Sequence, residues 1–282
     1  MHPVQRFSAP SAILAGTPLK ALFDRPFLEL LAESFTAVHP SFNRRRFLKT
    51  AHAGLEDLEL SPRAAHIARA LIAELPEQPT DRMSTLIAAF GPELSKTNGN
   101  GLAPFFYLPH SHVISTAGVK DFESGMQANY ELTRRFTAEF SIRAYVVEHQ
   151  AATLRRLKAW TKDPNPHVRR LVSEGTRSRL PWGIRLKAIQ ANPSLTLPLL
   201  EALKDDPEPY VQRSVANHLG DILKDHPAFG YEICEKWINE ARRKTTPAGQ
   251  ARSRLWIIRH AVRLPAKKGE QKALTIRQQA RQ

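Results

Sequence analysis

The chain has 282 residues, of which 42% are hydrophobic, and a formal net charge of +14 at pH 7; this length allows one large or two modest domains with a real core. Its one cysteine, Cys234, excludes an internal disulfide and a four-thiolate metal site, and a reducing, cytoplasmic setting is expected. The sequence shows neither an adequate signal-peptide apolar region nor an apolar stretch near the roughly 20 residues of a membrane span, so no membrane partner is predicted. The basic charge favours a polyanionic partner, nucleic acid before membrane.

Helical periodicity dominates the first third of the chain. Residues 1–17 have few large apolar side chains and no period, so a poorly ordered segment is predicted there. From Pro18 to about residue 92, apolar residues recur at steps of three and four, which indicates successive amphipathic helices. Ser61 and Thr80 are predicted to cap two of them. Strand patterns are nearly absent, so the fold class is expected to be all-α.

Residues 93–120 interrupt this pattern with glycine, asparagine and proline, and three aromatic residues follow one another at Phe105, Phe106 and Tyr107. A loop of this length inside a compact domain is usually functional or disordered. Two interpretations stay open for the rings: packing against the core, or recognition of a ligand. The His-Ser-His run that begins at His110 has no supporting ligands nearby, and no metal site is predicted because such sites need three or four ligands.

A doubled stretch organises the second half of the chain. Residues 149–176 align without a gap to residues 192–219, at an offset of 43 residues. Each copy reads as a helix, an Asp-Pro-x-Pro turn and a second helix, and Asp163 and Asp206 are predicted to cap the second helices. A third, diverged helix pair follows. Repeats near this length are typical of HEAT and armadillo proteins, so an all-α, HEAT-like or armadillo-type helical-repeat solenoid is predicted.

Positive charge is concentrated in one part of the chain. Residues 134–187 contain thirteen Lys or Arg and four Asp or Glu. These Lys and Arg side chains are predicted to line a concave basic groove that follows DNA phosphates. The simpler alternative is that they cover solvated helix faces. The region includes an insertion after the first repeat, and insertions in solenoids often lie on the binding face. The predicted DNA contacts are Arg134, Arg135, Arg143, Arg169, Arg170, Arg177, Arg179, Arg185 and Lys187.

Three acids stand out within or just beyond this basic region, namely Glu139, Glu174 and Asp221. A carboxylate that faces phosphates is repelled unless a cation approaches it or an arginine pairs with it. Ordinary ion pairs would account for all three acids, and a cationic ligand is the other interpretation. The candidate pairs are Glu139 with Arg143, Glu174 with Arg170 or Arg177, and Asp221 with Lys224 or a neighbour of Asp225.

Several long phrases resemble the AlkC branch of the AlkC/AlkD DNA alkylation-repair glycosylases: LTRRFTAEFSIRAYV, DPNPHVRRLVSEGTRSRLPWG and VANHLGDILKDHP, with GTPLKALFDRPFLELLAESF and FFYLPHSHV. The resemblance covers roughly residues 16–264. It implies a helical-repeat glycosylase domain over residues 18–264, followed by a basic C-terminal tail over residues 265–282. Some relatives carry a C-terminal immunoglobulin-like domain that contacts DNA. This chain ends in the basic tail instead, so those contacts are not expected here.

The same resemblance implies a function. It implies a monomeric, cofactor-free DNA glycosylase of base excision repair that binds double-stranded DNA containing alkylated bases. The bond hydrolysed would be the N-glycosidic bond of N3-alkylated bases, chiefly 3-methyladenine, with 3-methylcytosine as a second candidate. Such a base is already cationic, so carboxylates would stabilise it and the oxocarbenium-like sugar, and an indole face favours a cation. A non-catalytic DNA-binding scaffold or a protein-binding scaffold is the alternative. The residues implied to face the lesion are Glu139, Glu174, Trp182 and Asp221.

Overall fold

The structure is a computed structural model that describes residues 1–281, and every regular element in that range is a helix. The all-α prediction is therefore confirmed for the described chain. The chain divides into two compact units, one from Met1 to Glu148 and the other beginning at His149. None of the described helices is both long and apolar enough to cross a membrane.

The first unit consists of helices that pack in pairs around an aromatic core. The α-helices, numbered in chain order, are α1 (Arg25–Thr36), α2 (Arg44–His52), α3 (Leu60–Ile72), α4 (Pro79–Ala88), α5 (Leu108–Thr116), α6 (Phe122–Thr133) and α7 (Ile142–Glu148). Short 3-10 helices lie at Pro3–Arg6, Leu19–Leu22, Ala103–Tyr107 and Gly118–Lys120. In this unit α3 packs against α5, α4 against α6, and α1 against α2.

Two segments of this unit are more ordered than their sequence suggested. The N-terminal segment, predicted to be poorly ordered, places the buried ring of Phe7 at 5.6 Å from the rings of both Phe27 and Phe106. The stretch predicted as a long loop contains α5, and the Tyr107 hydroxyl accepts a hydrogen bond from the Gly91 N–H at 2.9 Å. The interpretation that these rings pack against the core is therefore the one that the structure supports.

His110 belongs to the same aromatic core. It is fully buried, with ring centroids 5.6 Å from Phe35, 5.6 Å from Phe90 and 6.0 Å from Phe106. Burial lowers the pKa of His110 to about 3, so the ring is neutral at pH 7. Among residues 1–281, no group of three or more His, Cys, Asp or Glu side chains is placed to hold a metal ion.

Both predicted helix caps of this unit are displaced by two residues. Helix α3 is preceded by Glu59 rather than Ser61, and α4 is preceded by Gln78 rather than Thr80. The predictions were wrong because a proline near a helix start marks only the first turn. Its missing N–H is tolerated at any position there, so a proline does not fix which residue caps the helix.

The second unit repeats a helix pair, as the 43-residue offset predicted. The helices of this unit are α8 (Gln150–Trp160), α9 (Pro166–Gly175), α10 (Lys187–Ala191), α11 (Leu197–Leu203), α12 (Pro209–Asp225), α13 (Pro227–Ala241), α14 (Ala248–Ala261), α15 (Arg263–Lys267) and α16 (Gln271–Gln279). The three pairs are α8 with α9, α11 with α12 and α13 with α14, and α12 packs against both α9 and α14. The second helices of successive pairs therefore lie side by side.

The aspartates of the two Asp-Pro-x-Pro turns do not cap α9 and α12. The Asn165 side chain accepts from the N–H of His167, two residues further on, at 2.9 Å, and Glu208 occupies the same place before α12. The Asp163 carboxylate instead accepts from the Asn165 N–H at 2.8 Å, and Asp206 accepts from the Glu208 N–H at 3.0 Å. Each aspartate thus closes the turn before the cap, because an Asx side chain readily bonds the backbone two residues on.

The C-terminal residues form structure where a basic tail was predicted. Helix α16 packs against α13, α14 and α15, and Ala273, Ile276 and Ala280 are buried. These three residues recur at steps of three and four, the spacing of one helix face. The tail prediction was wrong because this face is narrow and made mostly of alanine, so the segment reads as polar.

Candidate functional site

A buried carboxylate stands at the C-terminal end of α9. The Glu174 side chain is 7% exposed. The Arg177 guanidinium donates from Nη1 to Glu174 Oε1 at 2.7 Å, and the Ser214 hydroxyl, from α12, donates to Oε2 at 2.7 Å. Arg170 lies one turn earlier on α9, with Nη2 at 3.6 Å from Oε1. Both oxygens of Glu174 are therefore engaged by hydrogen bonds.

The same arginine holds a second carboxylate. Arg177 donates from Nε to Asp221 Oδ2 at 2.8 Å and from Nη2 to Oδ1 at 3.2 Å. Asp221 lies on α12, and its side chain is 14% exposed. One planar guanidinium can hold both carboxylates because its five N–H donors point in fixed, diverging directions. The structure thus brings Glu174 and Asp221 together through Arg177.

The charges of this cluster fix its protonation. Burial would raise the pKa of Glu174, but the charges of Arg170 and Arg177 and the hydrogen bonds from Ser214 and Arg177 hold that pKa below its usual value. The neighbouring His218 is fully buried and its Nδ1 lies 3.0 Å from the Ser173 carbonyl. Burial lowers the pKa of His218 to about 4. At pH 7 the site therefore holds an ionised Glu174 beside a neutral imidazole.

Several arginines predicted to contact DNA are engaged by carboxylates of the second unit. Arg169 donates to Asp206 at 2.6 Å and 3.1 Å, and Arg179 donates from Nε to Asp225 at 2.8 Å. These partners are 37 and 46 residues apart, and Arg177 and Asp221 are 44 residues apart. The separations are close to the repeat length, because the second helices of successive pairs are neighbours in space.

The other predicted DNA contacts have different surroundings. Arg143 is fully buried, so it could reach a phosphate only by leaving the interior. Arg134 lies 2.7 Å from Glu93, Arg135 lies 2.6 Å from Glu131, and Arg170 lies over the Tyr210 ring at 5.2 Å. Two residues of the set are exposed, and these are Arg185 and Lys187.

Trp182 lies in the segment between α9 and α10, with a strained backbone. Its side chain is 73% exposed, and its φ of 63° is in the left-handed region that non-glycine residues rarely adopt. Such strain persists only where the surrounding structure holds it in place, and it is often found at functional positions. An exposed indole on a strained turn therefore fits a side chain held out for a ligand.

Glu139 belongs to the first unit, whereas Glu174, Trp182 and Asp221 belong to the second. It lies between α6 and α7 and is partly buried. The Thr137 hydroxyl donates to Glu139 Oε2 at 2.8 Å, and the Glu139 N–H donates back to that hydroxyl at 3.2 Å. This short turn fixes the direction of the carboxylate.

Both acids of the cluster were predicted from the sequence, but some of their hydrogen-bond partners were not. Glu174 pairs with Arg170 and Arg177 as predicted, but Asp221 pairs with Arg177 rather than with Lys224. Ser214 was not predicted. In the repeat alignment Ser214 stands where the first copy has the buried Leu171. A polar residue at an apolar repeat position is the signal that could have revealed it.

No protein-family model matches the sequence. The chain is 37% identical to a solved structure described as Pseudomonas fluorescens alkylpurine DNA glycosylase AlkC bound to DNA containing an abasic site analog, with a TM-score of 0.80 over 93% of this chain and 68% of that one. It is also 33% identical over 261 residues to the uncharacterized protein YhaZ of Bacillus subtilis, which covers 92% of this chain and 67% of YhaZ.

The fold and these likenesses define the chain as an all-α protein of the helical-repeat class. Within that class, the chain belongs to the AlkC branch of the AlkC/AlkD family.

Proposed function

We propose that this chain is a monofunctional DNA glycosylase of base excision repair. Its substrates would be N3-alkylated bases in duplex DNA, with 3-methyladenine first and 3-methylcytosine second. The observation that carries the proposal is the 37% identity, over 93% of the chain, to an alkylpurine DNA glycosylase bound to DNA. We expect a monomer that uses no cofactor.

Departure of an N3-alkylated base does not need a strong general acid. An N3-alkylated adenine is cationic, so it leaves with both electrons of the glycosidic bond and becomes neutral. Positive charge then develops on the sugar, where a nearby carboxylate stabilises it electrostatically. Water adds to the sugar C1′, and the proton that the water loses passes to a carboxylate acting as the base.

Asp221 is the carboxylate that we assign to this task. Arg177 occupies one position on each of its oxygens, and a carboxylate has about four acceptor positions, so about two remain for a water or a sugar. Its side chain is also more exposed than that of Glu174, at 14% against 7%. Glu174 would act as a positioning residue that fixes Arg177.

The two remaining residues would act on the base. The exposed indole of Trp182 offers a π face that attracts a cationic base or packs against the sugar. Glu139, directed by Thr137, would help to orient the base. The exposed Arg185 and Lys187 would contact phosphates of the same duplex, and the partly buried arginines would add weaker contacts.

A non-catalytic DNA-binding scaffold is the second candidate, and one observation favours it. Arg177 already neutralises part of the charge of Glu174 and Asp221, as in an ordinary structural ion pair. Incubation with methylated duplex separates the two functions. Release of free 3-methyladenine supports the glycosylase, and binding without release supports the scaffold.

The assignment of Asp221 is tested by Asp221→Asn, which keeps the size of the side chain and removes its charge. We expect single-turnover base release to fall by about a hundredfold, the usual effect of losing one preorganised stabilising group, while DNA affinity stays within about threefold of the wild type. Asp225→Asn is the matched control, since Asp225 pairs with Arg179 one turn later on α12. Equal rates for both variants would remove Asp221 from the mechanism.

A further inference from the structure

A cationic cavity lies at the C-terminal end of the second unit, among α14, α15 and α16. Its volume is about 340 Å³. None of the lining residues is acidic, and four of the six are arginines. The lining residues are Trp256, Arg259, His260, Arg263, Arg277 and Arg281. We call this cavity the arginine pocket.

The arginines of this pocket differ from four other arginines of the unit in their partners. Arg169, Arg177, Arg179 and Arg254 each donate to at least one carboxylate. Within the described part of the chain, the four arginines of the pocket form no ion pair. A set of partly exposed guanidinium groups with no carboxylate partner among the described residues is a favourable place for an anion to bind.

Neutral acceptors hold two of these arginines in place. Arg259 donates to the Ala280 carbonyl at 2.6 Å, and Arg263 donates to the His260 carbonyl at 2.6 Å and to Asn217 Oδ1 at 3.0 Å. Both carbonyls belong to helix C-termini, where cations are favourable. Capping explains where these side chains lie, but each guanidinium keeps further N–H donors that it does not use.

Burial and nearby positive charges disfavour the charged forms of the pocket side chains. Burial and the charge of Arg281 lower the pKa of Arg259, and burial and the charge of Arg177 lower the pKa of Arg263, against a smaller opposing effect of Asp221. Burial lowers the pKa of His260 to about 4, helped by the charges of Arg263 and Arg213. A bound anion would reverse these shifts.

The remaining wall of the pocket is flat and aromatic. The ring of His260 stacks on Trp256 with centroids 5.0 Å apart and planes 13° apart. The pocket therefore combines forked cationic donors with one apolar face, which suits a compact oxyanion that carries an organic substituent.

We propose that the arginine pocket binds a backbone phosphate of the DNA duplex, close to the lesion. The position of the pocket supports this occupant. Arg263 donates a hydrogen bond to Asn217, and Asn217 lies one turn before Asp221, the proposed catalytic carboxylate, on α12. Residues four apart on a helix are about 6 Å apart. The inference rests on the proposed function only in taking duplex DNA as the partner.

The test is the double variant Arg277→Gln/Arg281→Gln, whose side chains make no hydrogen bond that caps a helix. Its control is Arg243→Gln/Lys244→Gln, which removes the same charge from exposed positions after α13. Binding is measured by fluorescence anisotropy on a duplex that contains an abasic-site analogue. We expect the pocket variant to bind about tenfold more weakly at low salt, and its slope of log affinity against log salt to be about one unit shallower. We expect the control to change affinity by less than about twofold.

Equal weakening by the two double variants would overturn the proposal, since it would show a general charge effect. Protection of the wild type against thermal unfolding by inorganic phosphate, with unchanged DNA affinity in the pocket variant, would also overturn it in favour of a free-anion site. Arg281→Gln alone, at an exposed position, provides the same comparison if the double variant unfolds. A wild type that releases no base yet shows the affinity difference refutes the glycosylase and leaves the pocket standing.

Discussion

Arg177 is the residue on which the candidate site depends, because its one guanidinium holds both Glu174 and Asp221. Removing one partner of a buried ion pair leaves the other charge uncompensated and is strongly destabilising. If the proposed site is correct, substitutions of Arg177 or of the two acids should change stability and base release together.

Glu174→Gln should lower the free energy of unfolding by about 3 kcal/mol at pH 7. The pKa of Glu174 lies below its ordinary value of 4.5 in the folded chain. Its ionised form therefore stabilises the fold above about pH 4.5, and this contribution is lost as the pH falls through the lower, folded-state pKa.

Chemical denaturation from pH 7 to pH 3 measures this effect, and the difference between wild type and variant should narrow below pH 4.5. Glu232→Gln, at an exposed position on α13, serves as the control, with an expected change below about 0.5 kcal/mol. A gap that stays constant with pH would show that the charge of Glu174 does not stabilise the fold.

Trp182 allows backbone strain to be measured separately from the loss of its ring. Trp182→Gly and Trp182→Ala both remove the indole, but only glycine adopts a φ of 63° freely. We expect the glycine variant to be more stable by about 1 kcal/mol in thermal or chemical unfolding. Base release should fall by about tenfold in both, the magnitude of a lost cation–π contact. Equal stability of the two variants would mean that the turn relaxes and stores no strain.

At the scale of elements, the doubled stretch predicted α8, α9, α11 and α12 because the spacing of apolar residues and the turn prolines both repeat. The partners of the charged side chains were not predicted in the same way. The predicted partner of Asp221 was Lys224, one turn away, whereas its observed partner Arg177 comes from the preceding repeat. In this repeat unit, side-chain partners therefore lie one repeat apart as well as one helical turn apart.

The spacing of apolar residues did not predict helix α16. Its buried face contains two alanines and one isoleucine, Ile276, so tertiary packing rather than local hydrophobicity determines that the segment is helical. We expect Ile276→Ala to lower the free energy of unfolding by about 3 kcal/mol, as for other buried isoleucines. Leu274→Ala, at a 40% exposed position of the same helix, should cost less than about 1 kcal/mol. If both variants changed the free energy of unfolding by the same small amount in chemical denaturation, the segment would not pack as a helix and the predicted tail would be correct.

At the scale of the whole molecule, the net charge of +14 is unchanged by internal pairing, since every ion pair removes one charge of each sign. The excess must therefore act through the surface, and an affinity for DNA should fall steeply with salt. Between 50 and 200 mM salt, we expect log affinity to decline with a slope of several units, about 0.9 for each phosphate contacted. A slope near one in an anisotropy titration would favour an acidic peptide as the partner instead.

The four tryptophans of the chain also give it a built-in optical reporter. Trp237 is wholly enclosed, whereas Trp182 faces water over 73% of its surface. An indole in water emits at longer wavelengths than an enclosed one, so the red edge of the emission spectrum comes largely from Trp182. A ligand that covers the Trp182 ring would therefore shift the tryptophan emission to shorter wavelengths, and its binding could be followed without an attached dye.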